Sequence, residues 1–151
     1  MDFELLLSSN KTQKDYAYYL IQILKNNLNI NFKFVEDHDS INLCLDCMTI
    51  TIDLEEEVGL EVIEEDFNFV ADTSARIQVF SKFRDLALGI IFEIINEIIK
   101  NTNYNLLLIG NGSNLILEKK NNNYYTSYLD DYYYFKFPFE LLGVKIDEIK
   151  R

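Results

Sequence analysis

The chain has 151 residues, of which 48% are hydrophobic, and its formal net charge is −11. This length and apolar content suit one folded domain spanning residues 1–151, and no proline-, glycine- or serine-rich linker divides it. The acidic charge argues against binding to nucleic acid, which needs a basic stripe, and against attraction to an anionic membrane. Two interpretations stay open: an acidic surface without a binding role, or one that attracts a basic partner.

The N-terminal segment and the most apolar segment determine the expected location. Asp2 and Glu4 stand where a signal peptide has its basic region, and the apolar run after them is short. Residues 86–99 form the most apolar later segment, but Glu93 and Glu97 make it too charged to cross a bilayer. We therefore expect a cytoplasmic protein without a membrane partner.

The first half of the chain predicts strands around one capped helix. Residues 3–8 are predicted as a strand, and Thr12 with Asp15 indicates the start of a helix with one apolar face. Further strands are predicted at residues 30–34, 43–53, 60–70 and 75–80, with polar turns at residues 36–40 and 55–59. The alternation slips by one near Ile63 and Glu64, which predicts a β-bulge.

The second half predicts a long helix followed by a β-meander. The helix has an apolar face between Ala87 and Ile98, and the meander strands are predicted at residues 106–109, 114–119 and 124–127. The predicted order is β-α-β-β-β-β-α-β-β-β. This order predicts an α+β fold: a mainly antiparallel sheet of about seven or eight strands with two helices packed on it.

A Gly-x-Gly motif at Gly110-Asn111-Gly112 follows the first meander strand and raises the question of a phosphate site. Such a site needs a helix after the loop, because the helix N-terminus supplies the free N–H groups. Here a strand-length segment follows, and no Gly-Lys-Ser or Gly-Lys-Thr is present. Glycine and asparagine suit tight hairpin turns, so we interpret the motif as a hairpin connection and predict no bound cofactor.

Two further motifs carry reactive residue types. Cys44 and Cys47 form a Cys-x-x-Cys in or beside a predicted strand, whereas redox versions of the motif lie at a helix N-terminus. His38 is the only histidine, so a four-ligand zinc site would have to be shared between two subunits. We interpret His38 as an exposed loop residue and the cysteines as a reduced structural pair, with no metal site and no catalytic residues.

Acidic residues form two clusters, Glu55-Glu56-Glu57 and Glu64-Glu65-Asp66. If residues 55–70 form a bulged hairpin, the clusters lie near each other along a sheet edge. They then either discourage aggregation at that edge or contact a basic partner. A calcium site is the weaker interpretation, because the D-x-D-x-D-G spacing is missing.

The segment from residue 124 to residue 135 contains six tyrosines and two aspartates. Tyrosine is enriched at protein interfaces, and tyrosines beside acids suit a partner that presents Arg or Lys. The alternative is that alternate rings pack in the core. The predicted contact residues are Tyr128, Asp130, Asp131, Tyr132 and Tyr133, with the two acidic clusters as a second set. Replacing Tyr132 and Tyr133 by alanine should then weaken binding without unfolding the protein.

The segment from residue 74 to residue 127 resembles the C-terminal part of the Sit-type immunity proteins of bacterial toxin–immunity systems. The matching parts are the strand at residues 75–80, the long apolar helix, the strand at residues 105–108, the Asn111-Gly112 turn and the strand at residues 115–119. The resemblance implies a small cytoplasmic protein that binds and neutralises a cognate toxin, and it brings no catalytic residues.

These features together predict an immunity protein that covers a basic active-site surface of a toxin and is not an enzyme. One alternative is an acidic adaptor that binds another protein, or a phage-type inhibitor that imitates DNA. A small enzyme or nucleotide-binding module is a third, and it would need a pocket around His38 or Gly110. A homodimer stays open.

Overall fold

A nine-stranded sheet organises residues 1–55, 59–127 and 129–149, the part of the chain that the computed structural model describes; of Asp131, only the backbone is included. Its strands are β1 (Asp2–Ser8), β2 (Lys33–Glu36), β3 (Ser40–Cys44), β4 (Met48–Asp53), β5 (Thr73–Val79), β6 (Asn105–Gly110), β7 (Asn114–Lys120), β8 (Asn123–Thr126) and β9 (Asp147–Glu148). Their order is β2-β3-β4-β5-β1-β6-β7-β8-β9. Every neighbouring pair is antiparallel except β8 and β9, which are parallel.

Three α-helices of the described residues pack on this sheet: α1 (Gln13–Gln22), α2 (Leu60–Phe67) and α3 (Arg84–Asn101). The α+β class and the mainly antiparallel sheet predicted from the sequence are confirmed, with nine strands and three helices where seven or eight strands and two helices were expected. None of the helices in the described ranges combines the length and the apolarity that a bilayer crossing requires.

Helix α1 begins as the sequence predicts and is fixed to the central strand by a tyrosine. The Thr12 side chain accepts a hydrogen bond from the backbone N–H of Asp15 at 3.1 Å, which satisfies one free donor of the first turn. One turn later, Tyr16 is completely buried, and its hydroxyl donates to the Leu5 carbonyl of β1 at 3.0 Å. The helix ends in a π-helical turn, Ile23–Asn27.

The helices cover the two faces of the sheet unequally. The main core lies between α1, α3 and one face, and it contains Leu5 and Leu7 of β1. A smaller core lies on the other face, where Ile63 and Phe67 of α2 pack near Leu6. Helix α2 does not cover the part of this second face that β3, β4 and β5 form. The residues there are polar, such as Asn42 and Thr51. One half of the second face is therefore an open polar surface.

Three predicted strands differ from the structure. Residues 60–67 form α2 and not a bulged strand, because Leu60, Ile63 and Phe67 recur with helical spacing and bury one face of the helix. Residues 43–53 form parts of two strands, since the chain turns at Leu45–Met48, where the Leu45 N–H donates to the Met48 carbonyl at 2.9 Å. The strand expected at residues 30–34 is β2, and all four of its residues are exposed, whereas half-burial was predicted.

The buried hydroxyl of Tyr16 predicts how stability changes at alkaline pH. Burial raises the pKa of Tyr16 well above its ordinary value, with smaller contributions from the charge of Glu4 and from Tyr19. The unfolded chain therefore ionises this tyrosine from about pH 10, while the folded chain keeps its proton, so this contribution to stability falls as pH rises above about 10. We expect Tyr16→Phe to lower the free energy of unfolding by about 1 kcal/mol at pH 8. The difference in the free energy of unfolding between Tyr16→Phe and the wild type should become smaller above about pH 10.

Urea unfolding of both proteins at several pH values between neutral and strongly alkaline would measure this gap. A gap that stays constant or widens above pH 10 would contradict the burial of the Tyr16 hydroxyl.

Candidate protein-binding surface

Residues 129–142 form a tail that packs against α3 and presents tyrosines on alternate sides. Tyr133 is only 7% exposed and belongs to the main core together with Leu129, Phe137 and Leu142. Its neighbours Tyr132 and Tyr134 are 65% and 88% exposed. The two interpretations of the tyrosine run, core packing and surface contact, therefore each describe different residues of the same segment.

Tyr133 anchors the tail through ring contacts and one tight polar contact. Its ring centroid lies 5.1 Å from that of Phe137 and 5.4 Å from that of Phe135, both with edge-to-face geometry. Its hydroxyl accepts a hydrogen bond from the side-chain amide of Asn114 at 3.3 Å and lies over Gly110. Burial raises the pKa of Tyr133, and the Asn114 hydrogen bond partly offsets this.

The burial of Tyr133 changes the expected result of replacing Tyr132 and Tyr133 together. Replacing Tyr132 and Tyr133 together would remove a core ring as well as a surface ring, so it would damage the fold. Tyr132 keeps its place as a surface residue, whereas Tyr133 offers a partner almost no accessible area.

Tyr134 is held in place by an arginine of α3. The Arg84 guanidinium lies 4.4 Å from the ring centroid of Phe135 and 5.2 Å from that of Tyr134. The same group donates a hydrogen bond to the Tyr134 hydroxyl at 3.0 Å and forms an ion pair with Asp85 at 3.1 Å. Tyr134 is therefore exposed but has two contacts with the same arginine. Arg84 and Tyr134 are not among the contact residues that the sequence predicts, because no sequence pattern brings residues 50 positions apart together.

The predicted acidic contacts of the tail are described only in part. Asp130 is exposed and forms an ion pair with Lys136 at 2.9 Å, which neutralises some of its charge. The backbone of Asp131 belongs to a 3₁₀ turn, Leu129–Asp131. The side chain of Asp131 and the whole of Tyr128 lie outside the described residues.

The second acidic cluster lies on a helix and not along a sheet edge as expected. Glu64, Glu65 and Asp66 are exposed residues of α2, on the face of the sheet opposite to the tail. Glu55 is exposed after β4, and Glu56 and Glu57 lie outside the described residues. The structure therefore separates the two predicted contact sets: the tyrosines lie on the α3 side and the α2 acids on the other side.

The Gly-x-Gly motif is a hairpin turn, as predicted. It joins β6 to β7, and Asn111 and Gly112 have φ values of 51° and 82°, the left-handed conformation that these residue types tolerate. Strand β7 follows the turn, where a phosphate loop would need a helix. Its glycine at position 110 serves packing, because a Cβ atom there would lie 2.2 Å from the Tyr133 hydroxyl.

The Cys-x-x-Cys motif flanks the turn between β3 and β4. Cys44 ends β3 and is partly buried, while Cys47 is buried and both are free thiols. Burial raises the pKa of Cys47, with a smaller contribution from Asp46. A raised pKa makes a thiol less reactive at neutral pH, which agrees with a structural role for Cys47.

His38 lies in an exposed turn, as predicted. It contacts Asp39 at 3.4 Å, and no serine or cysteine side chain among the described residues bonds to it. Asp37, His38 and Asp39 could place ligand atoms within 4.8 Å of one another. The Asp37 carboxylate, however, accepts hydrogen bonds from the backbone N–H groups of Asp39 and Ser40, both at 2.8 Å, and these lower its pKa. The closeness of these three side chains is therefore explained by the turn that the Asp37 carboxylate stabilises.

Comparison with protein-family models, with curated proteins and with solved structures finds no match for this chain. In the described part of the chain, the anchored tail exposes Tyr132 and Tyr134, and it also carries the exposed ion pair of Asp130 and Lys136.

The contact between Gly110 and Tyr133 predicts the effect of a single methyl group. We expect Gly110→Ala to lower the free energy of unfolding by about 1–3 kcal/mol, because the new Cβ atom and the Tyr133 hydroxyl cannot both keep their positions. Adding Tyr133→Phe removes the hydroxyl, so the double variant should regain part of that loss. Thermal and urea unfolding would measure both effects.

Gly89 supplies the control, since it lies in α3 with open space around its Cβ position. Gly89→Ala should leave stability unchanged or raise it by up to about 1 kcal/mol. If Gly110→Ala behaved like Gly89→Ala, the tail would not be anchored over β6.

Proposed function

We propose that this protein is an immunity-type inhibitor that binds a cognate bacterial toxin with a basic surface and covers its active site. The observation that carries this proposal is the tail, which holds Tyr132 and Tyr134 outward while Tyr133 and Phe137 are buried. Tyrosines of this kind provide large contact areas at low cost in conformational entropy, so they are typical anchors of tight interfaces.

Pre-organisation distinguishes Tyr134, which contacts Arg84, from an ordinary exposed side chain. Arg84 stacks on Tyr134, and four buried side chains fix the backbone of the tail. A partner that binds here therefore does not have to order a mobile segment, which would cost affinity. Phe83, which precedes Arg84 at the start of α3, is also exposed.

The net charge of the chain indicates the charge of the proposed partner. A net charge of −11 attracts a basic protein over long distances and repels nucleic acid. Toxins that act on phosphate-containing substrates carry basic active sites, so an acidic inhibitor suits them. The exposed acids Glu64 and Glu65 lie on the other face from the tail, and their role in this proposal is to steer the encounter and not to form contacts.

The resemblance of residues 74–127 to Sit-type immunity proteins supports the same function. The features quoted for that resemblance, a strand, a long helix and a hairpin with an Asn-Gly turn, correspond to β5, α3, β6 and β7. An acidic adaptor that binds another protein would use the same tail, but the charge favours this alternative only if the partner of the adaptor is basic. The enzyme alternative has little support, because His38 and Gly110 each have a structural explanation.

Replacing the two exposed tyrosines should separate binding from folding. We expect Tyr132→Ala with Tyr134→Ala to weaken toxin binding by about 2 kcal/mol or more, roughly a 30-fold rise in Kd. Stability should change by only about 0.5 kcal/mol, because both side chains are exposed. Partners captured from the native organism on the wild-type protein would be identified and then expressed in a bacterial host. Rescue of growth by each variant would be compared with calorimetric affinity.

Val62 and Val70 provide the matched control, since both are exposed apolar side chains. Val62 lies in α2, and Val70 follows this helix. Val62→Ala with Val70→Ala should bind and rescue like the wild type. The proposal fails if the captured partner is harmless when expressed alone. It also fails if the tyrosine variant rescues growth as well as the wild type does.

The steering role of the acids on α2 predicts a salt-dependent association rate. Raising the salt concentration from about 20 mM to about 500 mM should slow association with the toxin about tenfold or more, while dissociation changes less. Glu64→Gln with Glu65→Gln should reduce this salt dependence without changing the dissociation rate. Stopped-flow or surface-based kinetics would measure both rates. An association rate that does not respond to salt would contradict electrostatic steering.

A further inference from the structure

Strand β2 is an edge of the sheet with exposed apolar side chains. It pairs with β3 on one side only, and Phe34 and Val35 are 44% and 52% exposed. Natural proteins normally protect such edges with prolines, bulges or several charges. Lys33 and Glu36 are the only charged residues of β2, and it has neither a proline nor a register shift with β3.

The hydrogen bonds around β2 show which of its backbone groups are free. The Asp37 N–H donates to the Ser40 carbonyl at 3.0 Å, so this pair marks one hydrogen-bonded position of the β2–β3 ladder. Such positions alternate in antiparallel strands, and Val35 therefore bonds to β3 through its pair with Asn42. The N–H and C=O groups of Phe34 and Glu36 point away from β3, and no group of the described residues bonds to them.

An apolar groove lies beside this edge on the α1 side. The groove has a volume of about 440 Å³ and is lined mainly by Tyr18, Ile21, Phe32 and Phe34. The ring centroids of Tyr18 and Phe34 are 6.3 Å apart. The edge therefore offers both free backbone groups and apolar side-chain surface to a second extended strand.

We propose that β2 pairs with β2 of a second copy of this chain, antiparallel and about a two-fold axis at Val35. In this register Phe34 and Glu36 of one copy lie opposite Glu36 and Phe34 of the other. All four outward-pointing backbone pairs are then satisfied by four hydrogen bonds. Val35 faces Val35 of the second copy at the axis, and the two Phe34 rings lie diagonally across it within reach of each other.

Charge makes a second copy a better occupant than an unrelated strand. The same register places Lys33 of each copy opposite Asp37 of the other. Lys33 is the only cation of β2, and the two-fold axis creates two such pairs of an ammonium group and a carboxylate. Residues 11–39 contain four lysines, three aspartates and one glutamate, so this region is neutral in a chain of net charge −11. Two acidic molecules therefore meet with less repulsion here than at α2, whose charged residues are all acidic.

Sedimentation equilibrium and backbone amide exchange by NMR would test the pairing on the whole chain. We expect a monomer–dimer equilibrium between about 1 μM and about 500 μM protein. The amides of Phe34 and Glu36 should become protected only as the dimer forms, whereas the Val35 amide is protected at every concentration. A chain that stays monomeric throughout this range would overturn the proposal, and so would a dimer in which the Phe34 and Glu36 amides exchange freely.

Val35→Lys supplies the disruptive variant, because it places two ammonium groups face to face at the axis. We expect the dissociation constant of the dimer to rise about tenfold or more. Val70→Lys is the control of equal charge at a similarly exposed valine, and it should leave the dimer within about twofold of wild type. If the two variants dimerised equally well, β2 would not be the interface.

Discussion

The burial of three consecutive leucines on β1 is the constraint on which the rest of the fold depends. Leu5, Leu6 and Leu7 are each at most 2% exposed, although neighbouring side chains of a strand point to opposite faces. Both faces of the central strand must therefore be covered. Helices α1 and α3 cover Leu5 and Leu7, and α2 covers the face of Leu6. Because α2 is only eight residues long, the part of that face formed by β3 to β5 stays open and is polar.

The sequence was most informative where periodic patterns were long. The apolar face between Ala87 and Ile98 predicted α3, and the turn residues Asn111 and Gly112 predicted the β6–β7 hairpin. The pair Thr12 and Asp15 predicted the first turn of α1. These signals are local: each depends on neighbouring residues that satisfy their own backbone or bury their own face, so tertiary contacts do not change the result.

The errors occurred where only tertiary contacts decide the structure. The slip near Ile63 was interpreted as a bulge, but it is the change from a period of two to the helical period that lets α2 cover Leu6. The consecutive rings of Tyr132, Tyr133 and Tyr134 carry no periodic information that selects the buried one. That choice depends on the space over Gly110, the last residue of β6, which has no side chain to fill the place of the Tyr133 hydroxyl.

The sheet order keeps the two proposed surfaces apart. Strands β3, β4 and β5 lie between the β2 edge and β1, against which the tail packs through the contact of Phe137 with Phe3. A two-fold pair formed at β2 would therefore leave both copies of Tyr132 and Tyr134 exposed. Substitutions at the two surfaces share no contacts, so their energetic effects should add. A dimer would then present two copies of the proposed toxin-binding surface on one continuous eighteen-stranded sheet, twice the nine strands of a single copy, and dimerisation would not compete with the proposed neutralisation.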